Sequence, residues 1–223
     1  MATGSQVYIL SGLGADERVF TEIDFGPFDP VFIPWEKLAS PDQTFESYIE
    51  QLSRQVQVPD PILIGISLGG IVAQEMSRLF NDCPVLIIAS VKTRQELSPL
   101  MRFSGRIRLH QLMPIKRVLK TKWLNYWLFG TKTETEKKIL DQILADSDPE
   151  FTKWAIGQVS NWKRKEPVPG KVLHIHGDRD RIFRIGNVTP NYIIPEGTHF
   201  MTVSQPEKLS RVIRDALSKL SNQ

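Results

Sequence analysis

The sequence predicts an α/β protein: a doubly wound, mainly parallel sheet of about six strands, interrupted by a helical cap insertion. Three observations carry this. Six short runs rich in Val and Ile recur along the chain. They are continuous rather than alternating, which suits strands covered by helices on both faces. Stretches of helical period separate several of them, and strand–helix alternation builds a parallel sheet. From about residue 91 to 169 the alternation stops, and no strand-like run occurs.

Taken in order, the first run is Val7-Tyr8-Ile9-Leu10 and the second Val31-Phe32-Ile33. Residues 45–56 then read as a helix. The third run, Ile62 to Ile66, is followed directly by a helix over 68–80, and Val85 to Ala89 is the fourth run. The next segment reads as four helices, near 97–112, 115–129, 134–145 and 149–162. The last has Asp148 as cap and a proline at its first position. Strands at 172–176 and 192–194 follow, and a helix over 206–220 closes the chain. Ser204 and Glu207 have the spacing of a capping box for it. The predicted organisation is a core of residues 1–90 and 170–223 with an insertion of 91–169.

Composition narrows the classes. The chain has 223 residues, 41% hydrophobic and 24% charged, which excludes disordered, collagen-like and coiled-coil proteins. No run approaches the roughly 18 apolar residues of a membrane span, so no integral membrane association is expected. The single cysteine, Cys83, leaves no internal disulfide. The N-terminus lacks a basic region and its first apolar run breaks at Ser11-Gly12, so it does not read as a signal peptide, and a cytoplasmic protein is expected. The net charge is +3, too small to point to nucleic acid, but it is unevenly placed. Between Lys92 and Lys138 twelve basic residues face three acidic ones, a net +9, so the remainder carries −6. The basic segment suits an anionic small-molecule substrate or an acidic surface; a solvated helical face without a partner would look the same.

The strongest local motif is Gly65-Ile66-Ser67-Leu68-Gly69-Gly70, which ends a strand and opens a helix. A G-x-S-x-G turn in that context lifts the serine hydroxyl clear of the backbone, and the new helix aims free N–H groups at the same spot. A serine hydroxyl needs a base. Of the four histidines, His199 follows the last strand in Gly197-Thr198-His199-Phe200 and can face the serine. His174 and His176 lie two apart on one predicted strand and share a face, as buried, hydrogen-bonded residues rather than a metal pair. His110 falls in the basic insertion as a surface or packing residue. A carboxylate must orient the base. His176-Gly177-Asp178-Arg179-Asp180 offers two, and either would complete the chain order Ser, Asp, His.

With these three motifs in order, nearly the whole chain resembles the α/β-hydrolase superfamily. The resemblance implies that Ser67 is the nucleophile, His199 the base and Asp180, rather than Asp178, the acid. It implies an oxyanion hole from the backbone N–H groups of Leu13 and Leu68. The Ser11-Gly12-Leu13-Gly14 stretch departs from the family pattern, with serine where histidine is usual. The sheet is expected to lack the family's usual first two strands, and the insertion matches the family's cap position, with Trp123, Tyr126, Trp127, Leu128 and Phe129 too apolar for a fully solvated face. The implied activity is a serine hydrolase acting on a small carboxylic ester or thioester through an acyl-enzyme, with no metal and no organic cofactor. C–C bond hydrolysis by the same residues, or a non-catalytic binding protein of this fold, remain open.

Overall fold

The computed structural model describes residues 6–169 and 171–221. Among the described residues six strands form one sheet: β1 (Val7–Leu10), β2 (Val31–Phe32), β3 (Ile62–Ile66), β4 (Val85–Ile88), β5 (Val172–Gly177) and β6 (Tyr192–Ile194). Every neighbouring pair is parallel, in the order β2-β1-β3-β4-β5-β6. The first of these strands therefore lies inside the sheet; the chain then steps outward once to β2 and crosses back past β1 to build the other side. The order reverses between β1 and β3. Such a switch point opens a crevice beyond the carboxyl ends of those two strands, and Leu13 and Ser67 follow them.

Strand residues alternate between two cores. Tyr8, Leu10, Leu63 and Ile87 face α1 (Phe45–Ser53), α2 (Leu68–Ser77) and α7 (Pro149–Asn161). Val7, Ile9, Ile64 and Ile88 face α9 (Pro206–Ser221), the short α8 (Met201–Ser204) and part of α6 (Glu134–Asp146). Burial on both sides is why these strands read as unbroken apolar runs. Between β4 and β5 lie α3 (Pro99–Arg106), α4 (Ile115–Lys120), α5 (Lys122–Phe129), α6 and α7. The far end of this segment is clamped to α2, where Glu75 accepts from Arg164 Nε (2.8 Å) and Nη2 (3.0 Å) and from Trp162 Nε1 (2.9 Å). Among the described residues no helix is long and apolar enough to cross a membrane.

Three local expectations need correction. The helix expected over 115–129 is two helices broken at Thr121. The buried Asn125 side chain donates to the Val118 and Leu119 carbonyls, both at 3.1 Å, so the end of α4 is satisfied without continuing the backbone ladder. The helix expected over 97–112 stops at Arg106, because Arg108 takes a left-handed conformation (φ 54°). Ser204 forms no capping box: it is the last residue of α8, and among the described residues its hydroxyl has no hydrogen-bond partner.

Candidate active site

Ser67 sits between β3 and α2 with φ 52° and ψ −117°, a conformation that costs a non-glycine residue about 1–3 kcal/mol. The surroundings hold it there. Its N–H donates to the Ile88 carbonyl (2.9 Å), and its carbonyl accepts from Ser90 Oγ (2.7 Å) and the Gly70 N–H (3.0 Å). Gly65 and Gly69 make the turn possible. A Cβ on Gly65 would run into the Gly69 carbonyl, and one on Gly69 into the Leu10 and Ser11 carbonyls. The second approach brings the start of α2 against the end of β1.

The loop after β6 carries His199 to this point. His199 Nε2 lies 3.0 Å from Ser67 Oγ, and Nδ1 lies 2.7 Å from Asp180 Oδ2. A carboxylate only accepts, so Nδ1 carries the proton and Nε2 is free to accept from the serine. The Asp180 carboxylate is fully buried, and its other oxygen accepts from the Ile182 N–H (2.8 Å) and the Phe183 N–H (2.9 Å). Phe129 and Phe183 meet the imidazole edge-on, with centroids 5.6 and 5.8 Å away. Asp178 stays in the preceding turn, where its N–H donates to the Ile194 carbonyl (3.3 Å) and its Oδ1 meets no partner among the described residues.

His174 and His176 are buried and bonded to each other, Nε2 to Nδ1 at 3.0 Å. His176 Nε2 donates to the Phe183 carbonyl (2.6 Å), so its Nδ1 accepts and His174 Nε2 donates. Burial pushes both pKa values down, His174 well below the ordinary histidine value with help from its neighbour, His176 less because the Asp180 carboxylate opposes it. His176 Nε2 is also 3.7 Å from Asp180 Oδ2, which makes this pair the backing of the Asp180 loop. His110 packs on Gly157 of α7, and burial lowers its pKa.

Gly12 lies against Ser67: a Cβ there would be 3.5 Å from the Ser67 Cβ. Its carbonyl accepts from the Ala15 N–H (3.1 Å) and from Trp35 Nε1 (3.0 Å). The Gly12–Leu13 peptide is planar and trans, so these bonds turn the Leu13 N–H the opposite way. Trp35 escaped sequence reading. Its only signal is its place just beyond β2, beside the end of β1. Ser11, where the family pattern has histidine, is buried and donates to the Ala15 carbonyl (2.6 Å), bracing the same loop.

Leu13, Ser67, Leu68 and His199 all line one cavity of about 870 Å³. Leu128 and Phe129 of α5 and Leu140 and Ile143 of α6 supply part of its wall, so the helical segment roofs the serine. Trp127 also lines it, with Arg181 stacked 5.0 Å from its ring. The aromatic stretch expected to be shielded is only partly so. Tyr126 is part-buried, its hydroxyl on Asp141 (2.9 Å), whereas Trp123 is exposed and does not reach the cavity.

None of the curated proteins compared with the chain matches it. Solved structures do. An esterase from Thermogutta terrifontis superposes with a TM-score of 0.70 at 16% identity, covering 98% of this chain and 91% of its own. A carboxylesterase of the thaumarchaeon Nitrososphaera gargenis gives 0.71 at 11% identity, covering 100% and 93%. An α/β-hydrolase-fold protein from Burkholderia ambifaria gives 0.64 at 14%, covering 96% and 92%. At these identities the likeness is one of fold. A family model described as the alpha/beta hydrolase family matches residues 8–212, nearly the whole chain, and the chain belongs to that family.

Proposed function

We propose that the protein is a serine hydrolase that cleaves a carboxylic ester or thioester through an acyl-enzyme. The observation that carries this reading is the unbroken run of hydrogen bonds from Asp180 through His199 to Ser67, opening on a largely apolar cavity. In this mechanism Ser67 Oγ attacks the acyl carbon while its proton passes to His199 Nε2. His199 then gives that proton to the leaving alcohol or thiol. Asp180 holds the imidazole in the required tautomer and stabilises its charged form. Water, deprotonated by His199, releases the acid and restores Ser67. The chemistry calls only on the chain's own groups and water.

The Leu13 and Leu68 N–H groups are the proposed oxyanion donors. Two features support them: the Gly12 carbonyl is held away by Trp35 and Ala15, and Leu68 opens α2, where first-turn N–H groups are free. Each such donor is worth about 3–4 kcal/mol in the transition state. We further propose that residues 91–169 act as a cap on a core of 1–90 and 170–223, and that the cavity between them takes the acyl chain. Its volume falls within the range of about 300–1,000 Å³ usual for small-molecule sites.

The test is a panel of p-nitrophenyl esters from acetyl to palmitoyl, with matched acyl-CoA thioesters, against wild type and Ser67→Ala. Hydrolysis of apolar acyl groups, lost in Ser67→Ala, is the expected result. A wild-type protein that turns over no ester or thioester, or a variant as active as wild type, overturns the reading.

A further inference from the structure

Ten large hydrophobic side chains are exposed among the described residues, and seven of them fall between Leu100 and Trp127. The other three are Val31 of β2, Leu79 just after α2 and Ile193 of β6. Helix α3 turns Leu100 and Phe103 outward, and Ile107, the residue that caps its end, is exposed at the next helical spacing. Its Gly105 is buried instead, and a Cβ there would strike the Ser160 carbonyl, so the inner face rests on α7. The turn after α3 adds Leu109 and Leu112, and α5 adds Trp123 and Trp127. These pieces adjoin: α3, the turn at Leu109–Gln111 and α4 all pack on α7, and α4 packs on α5. The exposure is large, at 81% for Leu112, 74% for Leu100 and 73% for Trp123.

The charge on this surface has one sign. From Leu97 to Thr133 the chain contains no Asp or Glu. Arg102, Arg106, Arg108, Lys116, Arg117 and Lys120 interleave with the apolar residues, and among the described residues none of the six forms an ion pair. Leu, Phe and Trp beside unpaired Lys and Arg suit the boundary of an anionic bilayer, where the apolar groups enter the acyl region and the cations meet headgroups. Protein interfaces are depleted in lysine, and exposed leucines gain nothing against nucleic acid phosphates. The patch also has a functional address. Leu100 and Trp127 are exposed and line the cavity that reaches Ser67, so the cavity opens within the patch.

We propose that this face docks the protein on an anionic phospholipid bilayer, with the mouth of the cavity against the lipid. Docking stands on the surface alone; only entry of an acyl substrate from the bilayer rests on the hydrolase reading. The test therefore uses Ser67→Ala protein, so that binding is read apart from hydrolysis, in flotation with phosphatidylcholine vesicles with and without one-third phosphatidylglycerol. At low salt, partitioning is expected to be at least tenfold stronger on the anionic vesicles. Removing two cations by Arg106→Gln with Arg117→Gln is expected to weaken it about 25-fold, since each cation near an anionic leaflet contributes about fivefold. Leu112→Ser with Trp123→Ser, neither of which lines the cavity, is expected to abolish flotation with thermal unfolding unchanged. No binding by the parent, equal binding to both vesicles, or full binding by either double variant overturns the proposal. So does a dimer in solution that the Leu112 and Trp123 changes dissociate while no form of the protein floats, since the patch would then cover a second copy.

Discussion

Replacing Asp180 with asparagine probes the proton logic of the site with almost no change in shape. The Ile182 and Phe183 N–H groups both donate to Asp180 Oδ1, at 2.8 and 2.9 Å. In Asp180→Asn they still need an acceptor, so the amide oxygen must take that place. Turning the amide the other way would set buried donors against donors, at about 1–3 kcal/mol for each left unpaired. The amide NH₂ therefore faces His199 Nδ1, 2.7 Å away in the parent. An amide nitrogen only donates, so Nδ1 must accept and the ring proton moves to Nε2, toward Ser67 Oγ. That imidazole cannot take the serine proton. Loss of the correct tautomer costs about 10⁴ in kcat in a well-studied triad, about 5.5 kcal/mol. The assay is p-nitrophenyl butyrate hydrolysis together with the rate of fluorophosphonate inactivation, on protein whose unfolding transition matches wild type. Retention of a tenth or more of wild-type kcat would refute the reasoning, as would a crippled Asp178→Asn beside a normal Asp180→Asn.

Other outcomes follow from the same geometry. Trp35→Phe keeps a ring beside Tyr48 and Phe151 but removes the hydrogen bond to the Gly12 carbonyl. One such bond is worth about 1 kcal/mol, so kcat is expected to fall about five- to tenfold with KM little changed; steady-state kinetics showing a change in KM alone would contradict the role given to Trp35. Asn125→Leu removes the side-chain donor from the Val118 and Leu119 carbonyls, leaving Val118 only the Thr121 N–H (3.0 Å), and urea unfolding is expected to show a loss of about 1–3 kcal/mol. Because folding lowers the pKa values of His174 and His176, the unfolded chain binds protons that the native one refuses. Their contribution is full above the unfolded value of about 6.5 and is lost as pH falls below it, by up to about 1.4 kcal/mol per pH unit for each histidine. Urea midpoints measured from pH 7.5 to 5 should fall steadily below 6.5, and less steeply in His174→Gln.

Much of this architecture is legible in the sequence because burial on two faces leaves a plain mark. Val7 to Leu10 and Ile62 to Ile66 are continuous apolar runs for that reason, and Ser67 is marked by the glycines its turn requires. Asp180 is different. Two aspartates in one turn look alike, and what separates them is the pair of N–H groups from Ile182 and Phe183 that draw one carboxylate inward. Resemblance supplied that choice; spacing did not. Side-chain substitutes for backbone bonds were equally hidden. The amide of Asn125 ends α4 inside a stretch whose apolar period runs on unbroken, and the Trp35 indole reaches the Gly12 carbonyl from 23 residues away. Ser204 illustrates the converse, a capping spacing left unused because the preceding residues had already formed α8.

The nucleophile is the claim on which the proposed chemistry turns, and active-site titration tests it directly. Wild-type protein treated with a fluorophosphonate should gain one adduct per chain by intact mass, and tryptic mapping should place it in the peptide 55–78, on Ser67 rather than Ser77. Ser67→Ala should gain none while unfolding at the wild-type temperature. An adduct on any other residue, or undiminished labelling of the Ser67→Ala protein, would show that the hydroxyl beside His199 is not the group that attacks.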